Sequence, residues 1–173
     1  MKIMSLNCWG LAGPQKRSAL RRVVDLDCTD ILPLQETMRV GVGIKVRLES
    51  WLGGWIFETL DVKGHSGGLE IGWNARIVST LNVWGMDSVL GMSFRALEMV
   101  GTFDVVNIYG PYLNRIPFWE KIFNYSLLRE EYLIIGGDLN FSLGQAKVWG
   151  PHACADVLTD FFTQKLVEKT GWI

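Results

Sequence analysis

The sequence predicts an α+β fold in which strands outnumber helices, and three observations lead to this prediction. Short apolar runs alternate with Gly, Asp, Asn and Pro along most of the chain, which is typical of strands joined by turns. Three longer segments keep apolar residues at helical spacing. No internal repeat, linker or low-complexity tract divides the 173 residues, so we predict a single domain over 1–173.

The composition is that of a chain with a large core. Hydrophobic residues make up 49% of the chain and the mean hydropathy is +0.18, with eight Trp and eight Phe. No apolar run approaches the roughly 20 residues that span a bilayer, and the opening MKIMSLNCWG is too short in apolar residues for a signal sequence. We therefore predict an intracellular protein, nuclear or cytoplasmic, that does not enter a membrane.

Cysteine usage and charge bear on the class of protein. The three cysteines are widely spaced and form no C-x-x-C pair, which argues against a disulfide framework or a zinc knuckle and favours a reducing compartment. The net charge of -1 gives no overall basic field of the kind that marks many nucleic-acid-binding proteins. A local basic run, QKRSALRR at 15–22, is typical of a solvated helix face.

The start of the chain predicts two strands with a helix between them. The apolar run at 2–6 predicts a strand that ends at Asn7. Residues 13–26 predict a helix, because a proline lies near its start and apolar residues recur three and four positions apart. The run DILPLQE predicts a second strand that ends at Glu36, and Pro33 within it predicts an edge or bulged position because proline lacks a backbone donor.

The remaining elements follow from the same two periodicities. Part of 38–52 is predicted to be helical. Five strand-like runs come next: WIFET (55–59), GLEIGW (68–73), VSTLNVW (78–84), FRALEMV (94–100) and FDVVNIYG (103–110). Residues 115–130 predict a helix with Pro117 in its first turn. A buried strand is predicted over 133–135 and a last helix over 156–169.

Polar side chains follow several of these apolar runs directly. Asn7 and Glu36 stand where two strands leave the core, and Asp138 and Asn140 follow a third. Tyr109 ends another strand-like run. Carboxylate and carboxamide oxygens at the same edge of a sheet suit Mg²⁺ or Mn²⁺ and not zinc. A phenol there could donate to a phosphate oxygen.

Each of these residues also has a purely structural interpretation. Asn and Asp are ordinary turn formers after a strand. Tyr109 is typical of a core aromatic residue with its hydroxyl at the surface. The joint occurrence of the five residues, and not any one of them, indicates a site.

Four motifs, SLNCWG, LQET, NIYGPY and GGDLN, carry a resemblance to a known family. Their order and spacing resemble those of the endonuclease/exonuclease/phosphatase superfamily, and in particular the apurinic-endonuclease-like domain of plant LINE-type retrotransposons. The stretches GHSGGLEIGWN, RIPFWEKI and VWGPHACADVLTDFFTQKLVEKTGWI resemble the same group, so the resemblance extends over essentially all 173 residues. It implies a four-layer α/β/β/α sandwich of the DNase I-like type and a metal-dependent DNA endonuclease.

The resemblance also implies roles for individual residues. Glu36 resembles the carboxylate that ligates the metal, and Asn7 the amide beside it that helps to hold metal or phosphate. Asp138 resembles the residue that orients or deprotonates the attacking water. Asn140 resembles a group that holds the scissile phosphate, and Tyr109 the phenol that stabilises charge on it. Phosphodiester hydrolysis needs such a positioned water, a cation and donors around the phosphate.

The loop KGHSGG, which includes His65, would lie where the family contacts the DNA backbone. A flexible turn before a strand is the alternative for this loop. DNA is therefore the partner that the resemblance implies, with His65 as a further substrate-binding residue.

The sequence departs from the family's pattern in several places. Leu6 precedes the first motif's asparagine where Trp is usual, and Tyr112 stands where Asn is common. The family's closing Ser-Asp-His motif is absent: the sequence has no Asp-His dipeptide, and neither His65 nor His152 stands in a matching context. We therefore predict a C-terminally truncated domain with its closing strands missing, whose exposed apolar surface favours self-association.

Three functions remain open from the sequence. The chain is a working metal-dependent nuclease, an impaired relic of a retrotransposon with residual metal or nucleic-acid binding, or an interaction module that uses an exposed apolar face. The flanking stretches resemble the retrotransposon group and argue against a phosphoinositide-phosphatase branch.

Overall fold

The fold is that of a computed structural model, which describes residues 1–38, 42–61, 68–124, 132–142 and 156–170. The chain divides into two compact units, Met1–Tyr109 with Glu130–Asp138 and Gly110–Arg129 with Leu139–Ile173. The described residues form two four-stranded sheets and four helices. The predicted α+β class is confirmed.

The first sheet lies in the first unit and has one parallel strand pair at its edge. Its strands are β1 (Leu6–Asn7), β2 (Ile31–Gln35), β3 (Trp55–Leu60) and β4 (Leu69–Asn74). Their order is β1-β2-β4-β3, with β1 and β2 parallel and the other two pairs antiparallel. Every residue of β2 is buried, as expected for a strand that is covered on both faces.

The second sheet lies in the same unit and has the same kind of parallel pair at one edge. Its strands are β5 (Val78–Met86), β6 (Val89–Ala96), β7 (Phe103–Tyr109) and β8 (Leu133–Asp138). Their order is β5-β6-β7-β8, and only the β7–β8 pair is parallel among these described strands. Each sheet therefore ends in a pair of strands whose carboxyl ends point the same way.

The two sheets face each other across an apolar core. Trp73 of β4 meets Phe94 of β6 edge-on, with 5.8 Å between the ring centroids. Phe94 in turn stacks on Phe103 of β7, again at 5.8 Å. Ile71 and Met92 complete the contact between the sheets and are both fully buried. Burial of such aromatic and branched side chains is the main source of stability in a sandwich of this kind.

Two helices cover the outer face of the first sheet: α1 (Pro14–Asp27) and α2 (Val42–Trp51). Leu20 and Val24, four residues apart on α1, lie in one cluster with Leu48 of α2. Leu34 and Phe57 form the sheet side of that cluster. The first unit therefore has three layers, a helical layer and two sheets.

The second unit has an aromatic core between α3 (Arg115–Phe123) and α4 (Thr159–Thr170). Trp119 of α3 is 1% exposed and meets Phe162 of α4 edge-on, with 4.8 Å between the centroids. Phe141 stacks on Phe162 at 3.7 Å. These rings hold the two helices together. None of the helices in the described part of the chain is both long and apolar enough to cross a membrane.

The strand predicted over 94–100 is wrong for most of its length. Strand β6 begins at Val89 and ends at Ala96, and the next four residues form a turn. The neighbouring strand β5 pairs with β6 as far as Ala96, and β7 pairs with it only as far as Phe94. The available partners, and not the apolar character of residues such as the exposed Val100, decide where the strand ends.

Two further predictions are corrected at α3 and β8. The helix predicted over 115–130 ends at Phe123, and the rest of that prediction falls on 125–130, outside the described residues. The strand predicted over 133–135 exists as β8, but it is not buried, since Ile134 and Ile135 are 39% and 37% exposed. Within the described chain, β8 is the outermost strand of its sheet.

Pro33 lies in an inner strand, so the prediction of an edge or bulged position is wrong. The N–H of Met4 donates to Ile31 O at 3.0 Å, and that of Cys8 donates to Gln35 O at 2.8 Å. The backbone at odd positions of β2 is therefore directed to β1, and Pro33 has the same orientation. Because β1 is only two residues long, the hydrogen-bond ladder is interrupted beside the proline and its missing donor leaves few partners unsatisfied.

A buried amide joins the two sheets. The Asn107 side chain in β7 is 0% exposed, and its Nδ2 donates to Leu34 O at 2.8 Å and to Glu70 O at 2.9 Å in the first sheet. Its Oδ1 accepts from Gln35 Nε2 at 2.6 Å. One polar side chain thus connects β7 with both β2 and β4, with both donors and the acceptor in use.

We expect Asn107→Leu to destabilise the protein by about 2 kcal/mol or more, because three buried hydrogen bonds are lost, each with a net worth of about 0.5–1.5 kcal/mol. The free energy of unfolding from urea titration measures the effect. The matched control is Asn82→Ala in β5, where the side chain is exposed, and we expect less than about 0.5 kcal/mol there. A loss below about 1 kcal/mol for Asn107→Leu would contradict the role of the bridge.

Candidate active site

Two parallel strand pairs end close together in the first unit. In β1 and β2, Asn7 is the register partner of Gln35, and Glu36 follows directly. In β7 and β8, Tyr109 is the register partner of Asp138. The side chains at issue thus belong to the carboxyl ends of four strands, and we call Asn7, Glu36, Tyr109 and Asp138 the four strand-end residues.

The first contact between the two pairs joins Glu36 and Tyr109. The Tyr109 hydroxyl donates to Glu36 Oε1 at 2.6 Å, and both residues are 8% exposed. A hydrogen bond to a carboxylate of this length is a strong one. The backbone of Glu36 has φ +52°, and its carbonyl accepts from Gly10 N–H at 2.6 Å. Glu36 is therefore held through both its side chain and its backbone. The Tyr109 hydrogen bond uses Oε1, and Oε2 is the other oxygen of the carboxylate.

The second contact joins Asn7 and Asp138. Asn7 Nδ2 donates to Asp138 Oδ2 at 2.8 Å. Asn7 Oδ1 accepts from the Trp9 N–H at 3.1 Å, which fixes the orientation of the amide. This pair is more open to solvent than the first, since Asn7 is exposed and Asp138 is half-buried. The structure therefore places a carboxylate where a ligand can reach it.

The two glycines before Asp138 have different roles. Gly137 has φ +133°, and a Cβ built there would lie 1.9 Å from Ile108 O. At Gly136 the nearest atom to such a Cβ is Ser5 Cβ at 3.6 Å, which is ordinary contact. Only at the second glycine does the close approach of β7 exclude a side chain.

Asn140 belongs to the second unit and is held there by its own contacts. Its Nδ2 donates to Gly110 O at 2.5 Å, and its carbonyl accepts from Arg115 Nη2 at 2.5 Å. Arg115 is also ion-paired with Asp156 at 2.8 Å. Desolvation acts to raise the pKa of Asp156, but hydrogen bonds from Arg115 and from the Leu158 N–H outweigh it and the pKa lies below its usual value. The asparagine is thus fixed at φ +51° beside Gly110.

His65 and His152 lie outside the described residues, as does all but the last glycine of the KGHSGG loop. Of the predicted site residues, the structure brings the four strand-end residues together as two hydrogen-bonded pairs. It places Asn140 two positions further along the chain, in the second unit.

A buried polar cluster under the site has no counterpart in the prediction. Glu70 of β4 is 0% exposed, and its Oε1 accepts from Thr37 Oγ1 at 2.9 Å. Burial raises the pKa of Glu70 to about 8, Asp61 adds to the rise, and the Thr37 hydrogen bond opposes it. The signal available in the sequence is that Glu70 interrupts the apolar run GLEIGW, as Asn107 interrupts FDVVNIY.

Cys8 stands beside Asn7 but is not a candidate nucleophile. Burial raises the pKa of its thiol to about 12, and the nearby carboxylate of Glu70 adds to the rise. At neutral pH the sulfur is therefore a thiol, and a thiolate is the reactive form. The groups that can act on a ligand at this site are therefore the carboxylate, amide and phenol oxygens, and not the thiol.

The donor set suits a hard divalent cation that keeps much of its water. Among the described residues, no group of three or more His, Cys, Asp or Glu side chains is close enough together to hold a metal ion. Glu36 Oε2 and the Asn7 carbonyl are the oxygen donors of the strand ends. Mg²⁺ is commonly bound by one or two protein oxygens with waters and substrate phosphates completing its shell. The residues present fit such an ion, and they do not fit zinc.

Comparison with known proteins gives the fold. No family model and no curated protein sequence matches the chain. An AP endonuclease from Archaeoglobus fulgidus is 18% identical, with a TM-score of 0.68, over 97% of this chain and 70% of that one. The endonuclease domain of TRAS1, a telomere-specific non-LTR retrotransposon, is 15% identical, with a TM-score of 0.68, over 96% and 70%. An endonuclease/exonuclease/phosphatase family protein from Bacteroides thetaiotaomicron is 15% identical, with a TM-score of 0.68, over 95% and 68%.

The chain has the endonuclease/exonuclease/phosphatase fold. It spans about 68–70% of the length of these three structures. Within this fold, similarity at such low identity gives the architecture alone, and the function has to be argued from the strand ends.

We expect Gly137→Ala to disrupt the end of β8, because the new Cβ would collide with the Ile108 carbonyl and the backbone could not keep φ +133°. The variant should lose at least about 2 kcal/mol of unfolding free energy, whereas the matched control Gly136→Ala should change it by less than about 1 kcal/mol. Urea titration of both variants measures this. Equal stability of the two variants would show that the close approach at Gly137 does not matter.

Proposed function

We propose that this chain supplies most of the active site of a divalent-metal-dependent phosphodiester hydrolase of retrotransposon origin that acts on DNA, and that its activity is impaired by the lack of a Ser-Asp-His motif. The observation that carries the proposal is the pairing of Tyr109 with Glu36 and of Asn7 with Asp138 at the ends of four strands. A fold shared with an AP endonuclease and with a retrotransposon endonuclease domain supports it. The plant LINE-type ancestry rests on the four sequence motifs.

In this proposal Glu36 and Asn7 hold Mg²⁺ or Mn²⁺. The Tyr109 hydroxyl fixes Glu36 Oε1, so that Oε2 is presented in one orientation to the cation. The cation would neutralise the negative charge that develops on the phosphate. Asn7 would serve both partners: its Oδ1 accepts from the Trp9 N–H and has a second lone pair for the cation, and its Nδ2 holds Asp138.

Asp138 is the proposed general base. Asn7 donates to its Oδ2, which fixes the orientation of the carboxylate toward the attacking water. That water loses a proton to Asp138 as its oxygen forms a bond to phosphorus, and the bond from phosphorus to the leaving sugar oxygen breaks. The leaving oxygen takes a proton from solvent. The family resemblance assigns a phosphate contact to Asn140, which lies in the second unit.

The exposed outer strand β8 favours the second candidate, a non-catalytic module that associates with itself. Ile134 and Ile135 are each more than a third exposed on the outermost strand of the described sheet. Apolar strands at an edge are templates for pairing with another chain. Sedimentation of the wild type beside Ile135→Lys separates this candidate from a monomeric hydrolase.

We expect Mg²⁺ or Mn²⁺ to bind saturably and weakly, because a single carboxylate with amides and waters supplies little charge. Glu36→Gln should remove most of the binding, since the amide keeps the shape and the Tyr109 contact but loses the charge. The matched control is Glu98→Gln, whose side chain is 80% exposed, and it should bind as the wild type does. Mn²⁺ binding is followed by electron paramagnetic resonance. Binding that survives in Glu36→Gln would place the ion elsewhere.

We expect the 173 residues on their own to nick supercoiled or abasic DNA at or near background. The sequence has no Asp-His dipeptide, and a missing general acid–base group costs about 10²- to 10⁴-fold in rate. An otherwise identical chain extended by a family-like segment with Ser-Asp-His should cleave faster with Mg²⁺, and Glu36→Gln with Asp138→Asn should abolish that cleavage. Robust cleavage by the 173 residues alone would disprove the expected impairment, and no cleavage by the extended chain would argue against the hydrolase.

A further inference from the structure

Trp9 is an exposed aromatic residue two positions after Asn7. Its side chain is 77% exposed, although a tryptophan is usually at least partly buried. It is adjacent in sequence to Cys8 and Gly10, which are intermediate and buried. The two residues next to Trp9 are thus covered, although Asn7 and Ala12 in the same loop are exposed.

The backbone that carries Trp9 is held firmly. The Trp9 N–H donates to Asn7 Oδ1 at 3.1 Å, and its carbonyl accepts from Lys16 Nζ at 2.5 Å. On either side, the N–H of Cys8 donates to Gln35 O at 2.8 Å and that of Gly10 to Glu36 O at 2.6 Å. The loop is thus attached to the end of β2 and to α1.

This attachment keeps Trp9 in a conformation that a bulky residue rarely adopts. Its φ is +45°, in the left-handed region, and such a conformation persists only where surrounding contacts impose it. The hydrogen bonds from Trp9 to Asn7 and from Lys16 to Trp9 supply those contacts. Since Asn7 also holds Asp138, the position of the indole is coupled to that of the proposed general base.

We propose that Trp9 stacks on an unpaired nucleobase of the nucleotide next to the scissile phosphate. The inference rests on the proposed function and names its substrate as a nucleic acid strand with at least one unstacked base at the site. Any base offers a flat π face to an indole, so such a contact does not depend on sequence. Because the backbone that carries the indole is already held, binding has to order only the side chain, which favours affinity.

A cleft beside Asn7 gives the nucleotide room. It measures about 220 Å³ and runs between β1 and α1, from Asn7 past Lys16 to Leu20 and Val23. Its walls are mainly apolar side chains with one cation, Lys16, whose ammonium donates to the Trp9 carbonyl. The cleft begins at the residue whose amide also contacts Trp9 and Asp138.

A lipid surface is the other partner to which an exposed tryptophan commonly binds. Membrane binding through a loop needs several apolar side chains and a cationic surround. Around Trp9 the chain presents Asn7, the half-buried Asp138 carboxylate, a single cation, Lys16, and one further exposed apolar side chain, Met38, which falls short of such a surface. The contacts therefore favour a nucleobase.

The test compares the wild type, Trp9→Ala and Trp9→Phe in binding a labelled single-stranded DNA. The DNA is about 10 nucleotides long, which is within the usual site size for such strands. Binding is measured by fluorescence anisotropy in EDTA, so that hydrolysis plays no part. Trp9→Ala should weaken binding by about 5- to 150-fold, the range for loss of one stacked base, and Trp9→Phe should restore most of it. Tyr132→Ala is the matched control, because Tyr132 is 54% exposed and lies at the other end of β8, about 20 Å from Asp138. It should bind as the wild type does.

A base-deletion series locates the contact. Tetrahydrofuran is substituted for one nucleoside at a time. At one position the deletion should weaken binding by the wild type but add nothing in Trp9→Ala, because the stacking partner is already gone. Four results would each overturn the inference. The first two are no DNA binding by the wild type and unchanged binding in Trp9→Ala. The others are affinity losses from base deletion and from Trp9→Ala that multiply at every position, and Trp9-dependent binding to phosphatidylserine vesicles without this coupling. Unchanged thermal melting of Trp9→Ala confirms that the variant is folded.

Failure of the stacking inference is distinguishable from failure of the proposed function. Hydrolysis of bis(p-nitrophenyl) phosphate with Mn²⁺ by the extended chain, and its loss in Glu36→Gln, test the hydrolase with a substrate that has no nucleobase. Base-dependent coupling with Trp9 and absent hydrolysis would leave a nucleic-acid-binding relic. Hydrolysis without coupling would leave a phosphodiesterase that does not use Trp9.

Discussion

The rest of the structure depends on the Asn107 amide, because it fixes how the two sheets are placed along each other. Apolar packing between sheets is non-directional and tolerates more than one stagger. The amide bonds to two backbone carbonyls and to Gln35 in the first sheet, and these partners coincide at one stagger only. With that stagger fixed, Tyr109, two residues after Asn107, reaches Glu36, the residue after Gln35. The contact between the strand ends is thus a consequence of a bond in the core.

The same arrangement explains why unusual backbone conformations collect at this edge. Trp9 and Glu36 have φ +45° and +52°, and Gly137 has φ +133°. Conformations of this kind in non-glycine residues cost of order 1–3 kcal/mol each and persist where the surroundings determine them. Here the hydrogen bonds between the loop after β1 and the loop after β2 determine them. At Glu36 and Trp9 the chain turns away just beyond a strand end, so that a carboxylate and an indole stand there instead of a continuing strand, whereas Gly137 lies within β8.

Much of the fold could be predicted from the sequence, because apolar periodicity and turn residues are local signals. They indicated α1, α2, α4 and most strands, and they put the four strand-end residues where strands leave the core. Local signals do not carry pairing, which is why the strand over 94–100 was misplaced and β8 was expected to be buried. The bridging role of Asn107 depends on residues about 70 positions away. The contacts of Asn140 within a second unit have the same non-local origin.

Glu70 is a buried acid beneath a site that already contains two carboxyl groups, those of Glu36 and Asp138. An ionised Glu70 would add a negative charge close to them. Its pKa is raised to about 8 by burial, so at neutral pH it is largely protonated and donates no field to the strand ends. The raised pKa of Glu70 makes the stability of the protein depend on pH. Because the native state holds the proton more tightly than the unfolded chain, stability is greatest below the ordinary value of 4.5 and falls as the pH rises through about 8. The neutral acid bonded to Thr37 and the Asn107 bridge are therefore parts of one uncharged polar layer beneath the strand ends.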